Sequence, residues 1–160
     1  MDIATLLGTI GLGILPISEL RGAIPFAYFR ETPLWIAACL GIFSNLLVSP
    51  LAYLFLASIH KILHNKWMFY TRVFDKTVQR ARQKISVKVD VYGFLGIVLF
   101  VGIPLPITGA WTGTLGAWVL GLSRKKTILA VSGGVLMSGA IVTSILALGK
   151  GAASLFVKVI

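Results

Sequence analysis

The chain has 160 residues, of which 57% are hydrophobic and 12% charged, with a net charge of +10. A soluble domain averages about 45–50% apolar and roughly 25% charged residues, so this chain has too little polar surface to cover a water-soluble globule. The length fits one domain, and Cys39, the single cysteine, excludes an intrachain disulfide.

The N-terminus opens Met1-Asp2-Ile3 with no basic stretch and no small-residue cleavage site, so residues 1–29 are expected to belong to the mature structure. Four apolar blocks follow. The first, Ile3 to Phe29, is interrupted by Gly11, Gly13, Pro16, Ser18, Glu19, Arg21 and Pro25. The second, Leu34 to Ile59, carries no charge, and Pro50 is placed to kink it. The third, Val91 to Leu122, is punctuated by Gly102, Pro104, Pro106 and Gly109. The fourth runs from Thr127 to Leu148. A helix needs roughly 20 apolar residues to cross the hydrocarbon core, so blocks two and four are predicted to span. The prolines of blocks one and three oppose a continuous helix.

Charge decides between spanning and turning back. Between His60 and Asp90 lie eight basic residues (Lys61, Lys66, Arg72, Lys76, Arg80, Arg82, Lys84 and Lys88) against Asp75 and Asp90. Arg124, Lys125 and Lys126 form a second cluster. The positive-inside rule places 60–90 and 124–126 in the cytoplasm. Block three, lying between them, then enters and returns as a re-entrant hairpin with its tip at Pro104 to Thr108. By analogy block one is a hairpin entered from outside, with its tip near Pro16 to Glu19. The expected fold is all-α and integral to the membrane: two inverted repeats, each a re-entrant helical hairpin plus a transmembrane helix. The divisions are 1–59, a linker at 60–90, and 91–160. Laying Gly22-Ala23 on Gly109-Ala110 relates the halves by an offset near 87 residues.

In the linker, Ile59, Ile62, Leu63, Trp67, Tyr70, Val73, Phe74 and Val78 recur at helical steps, with basic residues between them. That pattern suits a basic amphipathic helix on the cytoplasmic leaflet, and it accounts for the positive charge without nucleic acid. His60 and His64, four apart, lack the further ligands a metal site needs.

Glu19 and Arg21 are the ionisable residues deep within an apolar block. An ionisable group inside a membrane costs roughly 2.5–3.5 kcal/mol on insertion scales, which marks it as a functional candidate. Arg21 is suited to grip phosphate or carboxylate. Glu19 is suited to carry a proton. Ser18 and Thr108 are candidate caps for the returning half-helices, whose N-termini attract anions. The competing reading pairs Glu19 and Arg21 with Arg30 or Glu31 as a structural ion pair. Near the second tip, Trp111 reads equally as pocket wall or interfacial anchor, with Thr112 and Gly113 beside it; Trp118 reads better as an anchor. Asn45 needs a partner in lipid and is expected to bond a hairpin or contact substrate. Ser132, Gly133, Gly134, Ser138, Gly139 and Thr143 give block four a small-residue face for close packing. No sequence motif for ATP binding, metal or cofactor occurs, so neither enzymatic activity nor a cofactor is expected.

The stretches ELRGAIP (19–25) and GIPLPITGAWTG (102–113) resemble the prokaryotic small multidrug export protein family over nearly the whole chain. That family is distantly similar to the DedA, or VTT-domain, superfamily, whose members resemble transporters with two opposed re-entrant hairpins. The resemblance implies a multi-pass protein of the prokaryotic cytoplasmic membrane. It would be a proton-linked transporter or flippase for an anionic amphiphile such as undecaprenyl phosphate. By residue it points to Glu19, Arg21, Gly22 and Pro25, and to Pro104, Pro106, Gly109, Trp111 and Gly113. Blocks three and four lack the further acid and arginine that many DedA proteins carry in their second half, the nearest arginine being Arg124 at the cytoplasmic end. An exporter of lipophilic cations and a non-transporting scaffold are the alternatives, and a homodimer is expected.

Overall fold

The computed structural model describes residues 1–66, 88–105 and 108–157. Among them all regular structure is helical: α1 (Ile3–Ile14), α2 (Glu19–Phe29), α3 (Leu34–Leu46), α4 (Val48–Lys66), α5 (Lys88–Gly102), α6 (Ala110–Val119) and α7 (Arg124–Val157). The predicted amphipathic linker helix falls mostly outside the described residues.

Asp2 starts α1, its Oδ1 accepting the Thr5 N–H at 3.0 Å. The chain turns at Leu15 to Ser18 and returns as α2, which packs on α1. Block two is broken at Leu47 between α3 and α4. Pro50 has no N–H for the Leu46 carbonyl and its ring presses on that turn, so the predicted kink falls one turn upstream of the proline. Block three gives α5 and α6 around the predicted tip, and α7 begins at the basic cluster.

The stretches Leu34–Ile59 and Arg124–Gly149 are each 26 residues long and apolar, enough to cross a membrane. Only 39% of each apolar window is buried in the protein, so most of it faces outward, unlike the core helix of a soluble domain. The packing is inside-out in residue size. Ala23, Ala27, Ala37, Ala110, Ala117 and Ala130 are 0% exposed, whereas Trp35 is 71% exposed and Phe43, Phe55, Leu129 and Leu148 also face out. With lipid outside, little is gained by burying a large apolar side chain; small residues are placed where backbones must approach. Gly134 bears this out: a Cβ there would stand 2.8 Å from the Val98 carbonyl and press on Val101, so α7 lies directly against α5.

A similar order of elements occurs twice, short helix, turn, short helix, tight turn, long apolar stretch, the first stretch broken at Leu47 into α3 and α4 and the second continuous as α7. The spans start 90 residues apart, at Leu34 and Arg124. The tight turns repeat bond for bond. Thr32 N–H donates to Ala27 O and Glu31 N–H to Tyr28 O, each at 3.1 Å; Leu122 N–H donates to Ala117 O and Gly121 N–H to Trp118 O, each at 3.0 Å. Both are Schellman ends with a left-handed residue, Glu31 at φ 61° and Gly121 at φ 79°. This register corrects the offset of 87. It lays Leu15-Pro16-Ile17-Ser18 on Leu105-Pro106-Ile107-Thr108, and Glu19 on Gly109.

The repeated turn makes a test. Glu31 occupies a conformation that costs a residue with a Cβ roughly 1–2 kcal/mol, and glycine gives back part of that gain as unfolded-chain entropy. Glu31→Gly is expected to raise thermal stability in detergent by about 0.5–1 kcal/mol, and Gly121→Glu to lower it. Equal melting of Glu31→Gly and the parent would contradict the strain.

Candidate functional site

The two hairpin turns meet. Helix α6 starts in the protein interior with Gly109 at its N-cap, which supplies no side-chain oxygen to its free N–H groups. The missing acceptor comes from the other hairpin. Glu19 Oε2 accepts the Ala110 N–H at 3.0 Å and Oε1 accepts the Trp111 N–H at 3.3 Å. A carboxylate on a helix N-terminus satisfies two free donors and opposes the positive end of the helix dipole. Glu19 is 6% exposed. Its backbone is left-handed, φ 49°, and a non-glycine residue is held there only when its surroundings over-determine it.

Contact is reciprocal. Arg21 Nη1 donates to Thr108 O at 3.3 Å, and Nη2 to Ile17 O at 3.4 Å, so one guanidinium ties its own turn to the opposite one. In return the Trp111 indole donates to Ile14 O at 2.7 Å. Gly109, in extended backbone, is the point of closest approach: a Cβ there would collide with the Glu19 carboxylate. The residue facing Glu19 is thus its own counterpart in the repeated register.

Behind this contact is a cavity of about 10 Å³, lined by Glu19, Arg21, Asn45, Thr108, Gly109 and Ser138 with Leu20, Val101, Pro104 and Val135. The volume suits one water. Asn45 is 0% exposed, and neither its amide oxygen nor its nitrogen has a hydrogen-bond partner. An unsatisfied buried amide costs about 1–3 kcal/mol. The structure keeps one beside its buried carboxylate.

Glu19, Arg21, Asn45, Pro104, Thr108 and Gly109 therefore share one cavity, with Trp111 at its edge. Other candidates do different work. Ser18 does not cap α2: its hydroxyl donates to Leu12 O at 2.7 Å and closes the first turn. Thr108 does not cap α6 either. Its hydroxyl donates to Ile103 O at 2.6 Å and accepts the Leu105 N–H at 3.1 Å, bracing the second turn. In both cases the local hydroxyl closes its own loop, and at α6 the distant carboxylate takes the helix end. Gly22 lies against Ser18, Gly113 against Val101, and Pro25 sits within α2; none of the three lines the cavity. Thr112 Oγ1 donates to Gly109 O at 3.3 Å. Pro106 is outside the described residues. The pairing of Glu19 and Arg21 with Arg30 or Glu31 is corrected: those two lie at the far end of α2, about 15 Å along it. Arg30 instead stands over the Phe26 ring at 5.2 Å. Ser138 was read only as packing; its place in the cavity follows from how α7 crosses α3.

Apolar helices long enough to span, small residues inside and a buried acid with a half-buried arginine where two helical turns meet define a helical membrane protein. A family model described as "Putative small multi-drug export protein" matches residues 19–141, and the chain belongs to that family of membrane exporters. No curated protein and no solved structure matches the chain.

Two substitutions test the site. Asn45→Leu, which removes both unpartnered amide atoms at similar volume, is expected to raise stability by about 1–3 kcal/mol in thermal or denaturant unfolding. Gly109→Ala is expected to lower it, because Glu19 must leave the α6 N-terminus. A destabilised Asn45→Leu would mean the amide is bonded after all.

Proposed function

We propose that the protein is a proton-linked transporter or flippase that moves an anionic amphiphile, most plainly a lipid phosphate such as undecaprenyl phosphate, across the prokaryotic cytoplasmic membrane. The observation that carries this reading is the Glu19 carboxylate on the Ala110 and Trp111 N–H groups with Arg21 beside it. A helix N-terminus and a guanidinium are donors for a phosphate oxygen. A carboxylate among them can take up and release a proton as access changes.

The architecture supports transport. Both hairpins are read as re-entrant and the halves as inverted repeats, with residues 60–90 and 124–126 cytoplasmic. The recurrence at 90 residues fits that plan. So does the crossing of α3 and α7, where Ile42 abuts Gly139 and Asn45 faces Val135 and Ser138, the order of an antiparallel pair. The kinship with DedA proteins belongs to the same reading, as do membrane lipids as surroundings and a homodimer as assembly.

Export of lipophilic cations is the second reading, favoured by the family's description. Glu19 would then be the cation's partner. Arg21 and the positive end of α6 on the same cavity oppose it, which is why the anion is preferred. A non-transporting scaffold would show a stable partner complex and no flux.

In proteoliposomes, Glu19→Gln and Arg21→Ala are each expected to slow lipid-phosphate flipping about tenfold or more, the rate equivalent of ~1.4 kcal/mol. Folded variants that flip at the parent rate would refute the site. Single cysteines at the two ends of 91–122, in a Cys39→Ala background, are expected to label from the cytoplasmic face only; labelling from opposite faces would sink the inverted-repeat scheme.

A further inference from the structure

The N–H groups at the start of α6 already hold an anion, the Glu19 carboxylate. Any anionic headgroup reaching for those donors meets a like charge in place. The cavity, about 10 Å³, admits a water but not a phosphate while Glu19 stays there. A second, independent feature points into the same space. Asn45 turns an amide into it with both polar atoms unpartnered, although it is fully buried. An amide of that kind can accept from a protonated carboxyl through Oδ1 and donate to an anion through Nδ2. Neither capacity is met by a formed hydrogen bond while Glu19 is seated on α6, although the amide stands close enough to act on the carboxylate.

We infer that the α6 N-terminus is a phosphate-headgroup site whose resident anion is Glu19, and that Asn45 is the alternative seat for the Glu19 carboxyl once it is protonated. The inference deepens the anionic-substrate reading above and rests on it. Glu19 takes a proton, gives up the Ala110 and Trp111 N–H groups and donates its O–H to Asn45 Oδ1. The vacated donors and the Arg21 guanidinium then face the headgroup. With Glu19 neutral, Arg21 leaves the site net positive. Among the described residues, the elements packed around Glu19 add no titratable side chain to the cavity besides Arg21: α3 brings Asn45, α5 Val101, α6 backbone N–H groups, α7 Val135 and Ser138. Proton and anion are therefore bound together, one for one, and the site excludes the anion when the proton is absent.

The test is binding, not transport, on the full chain in nanodiscs of zwitterionic lipid. Decyl phosphate and inorganic phosphate are titrated separately, with protons counted by calorimetry in buffers of different ionisation enthalpy. The parent is expected to take up one proton per anion bound. Its affinity is expected to weaken about tenfold per pH unit wherever Glu19 is ionised in the free protein. Glu19→Gln, neutral at all pH, is expected to bind at least as tightly as the protonated parent, and its proton exchange and pH dependence are expected to shrink to those of the phosphate's own second ionisation, about one proton fewer per anion than the parent takes up. Asn45→Leu is expected to weaken anion binding while keeping the proton count. Uptake with inorganic phosphate assigns the site to free phosphate, and uptake with decyl phosphate alone to a lipid headgroup; both support it. Anion binding without proton uptake by the parent overturns the inference whether or not any variant folds. So does a Glu19→Gln protein that binds more weakly than the parent, or proton uptake driven by decyltrimethylammonium instead. The two proposals part cleanly. Coupled binding without flipping in proteoliposomes removes the transporter and leaves the site; flipping of lipid phosphate without proton uptake on binding removes the site and leaves a lipid-phosphate flippase that is not proton-linked through Glu19.

Discussion

One carboxylate holds the two halves of this protein together at their tips. Helix α6 begins in the interior with a glycine where a capping side chain belongs, and its free N–H groups must be satisfied there. Glu19, 91 residues earlier than Ala110, satisfies them. From that constraint the rest of the centre follows. Glu19 is held left-handed to aim its carboxylate, Gly109 must lack a side chain, and Arg21 and Trp111 each cross to a carbonyl of the opposite turn. The buried charge that insertion energetics disfavour is stabilised by a helix end and a guanidinium, not by solvent.

The surrounding bundle makes such a contact attainable. Alanines and glycines line the interior, so backbones come close enough for short side chains to bridge them, while tryptophan, phenylalanine and leucine are left on the outside. A polar centre then forms with little cavity around it. The group it leaves unsatisfied is Asn45, and that exception stands beside Glu19, the one buried acid among the described residues. In a region where each unpaired polar atom is costly, that coincidence sets this cavity apart from the rest of the interior.

The doubled element order adds a second lesson. Equivalent turns in the two halves keep the same hydrogen bonds, yet one holds Glu31 and the other Gly121 at the same left-handed position. At the tips, Glu19 and Gly109 are equivalent and touch. The chemistry of the centre thus lies in the departure from equivalence: one half supplies the carboxylate and the other the space and the helix end that receive it.

The sequence by itself determined the membrane setting, the four apolar blocks, both helical turns and the place of Glu19 and Arg21 at the first of them. Hydrophobic run length, proline positions and the rarity of buried charge are local properties, readable in one dimension. It also contained an unused clue: an interior helix starting after Gly109 has no cap of its own and needs an acid from elsewhere. What only the tertiary structure decided is which acid, and against what. Ser18 and Thr108 looked like caps but close their own loops, and Arg30 and Glu31 looked like ion-pair partners but lie at the other end of α2. The register of 90 needed the turn hydrogen bonds, because Gly-Ala aligns as well at 87. Side chains nearly a hundred residues apart meet only when the small-residue faces have packed, and no periodicity in the chain records that distance.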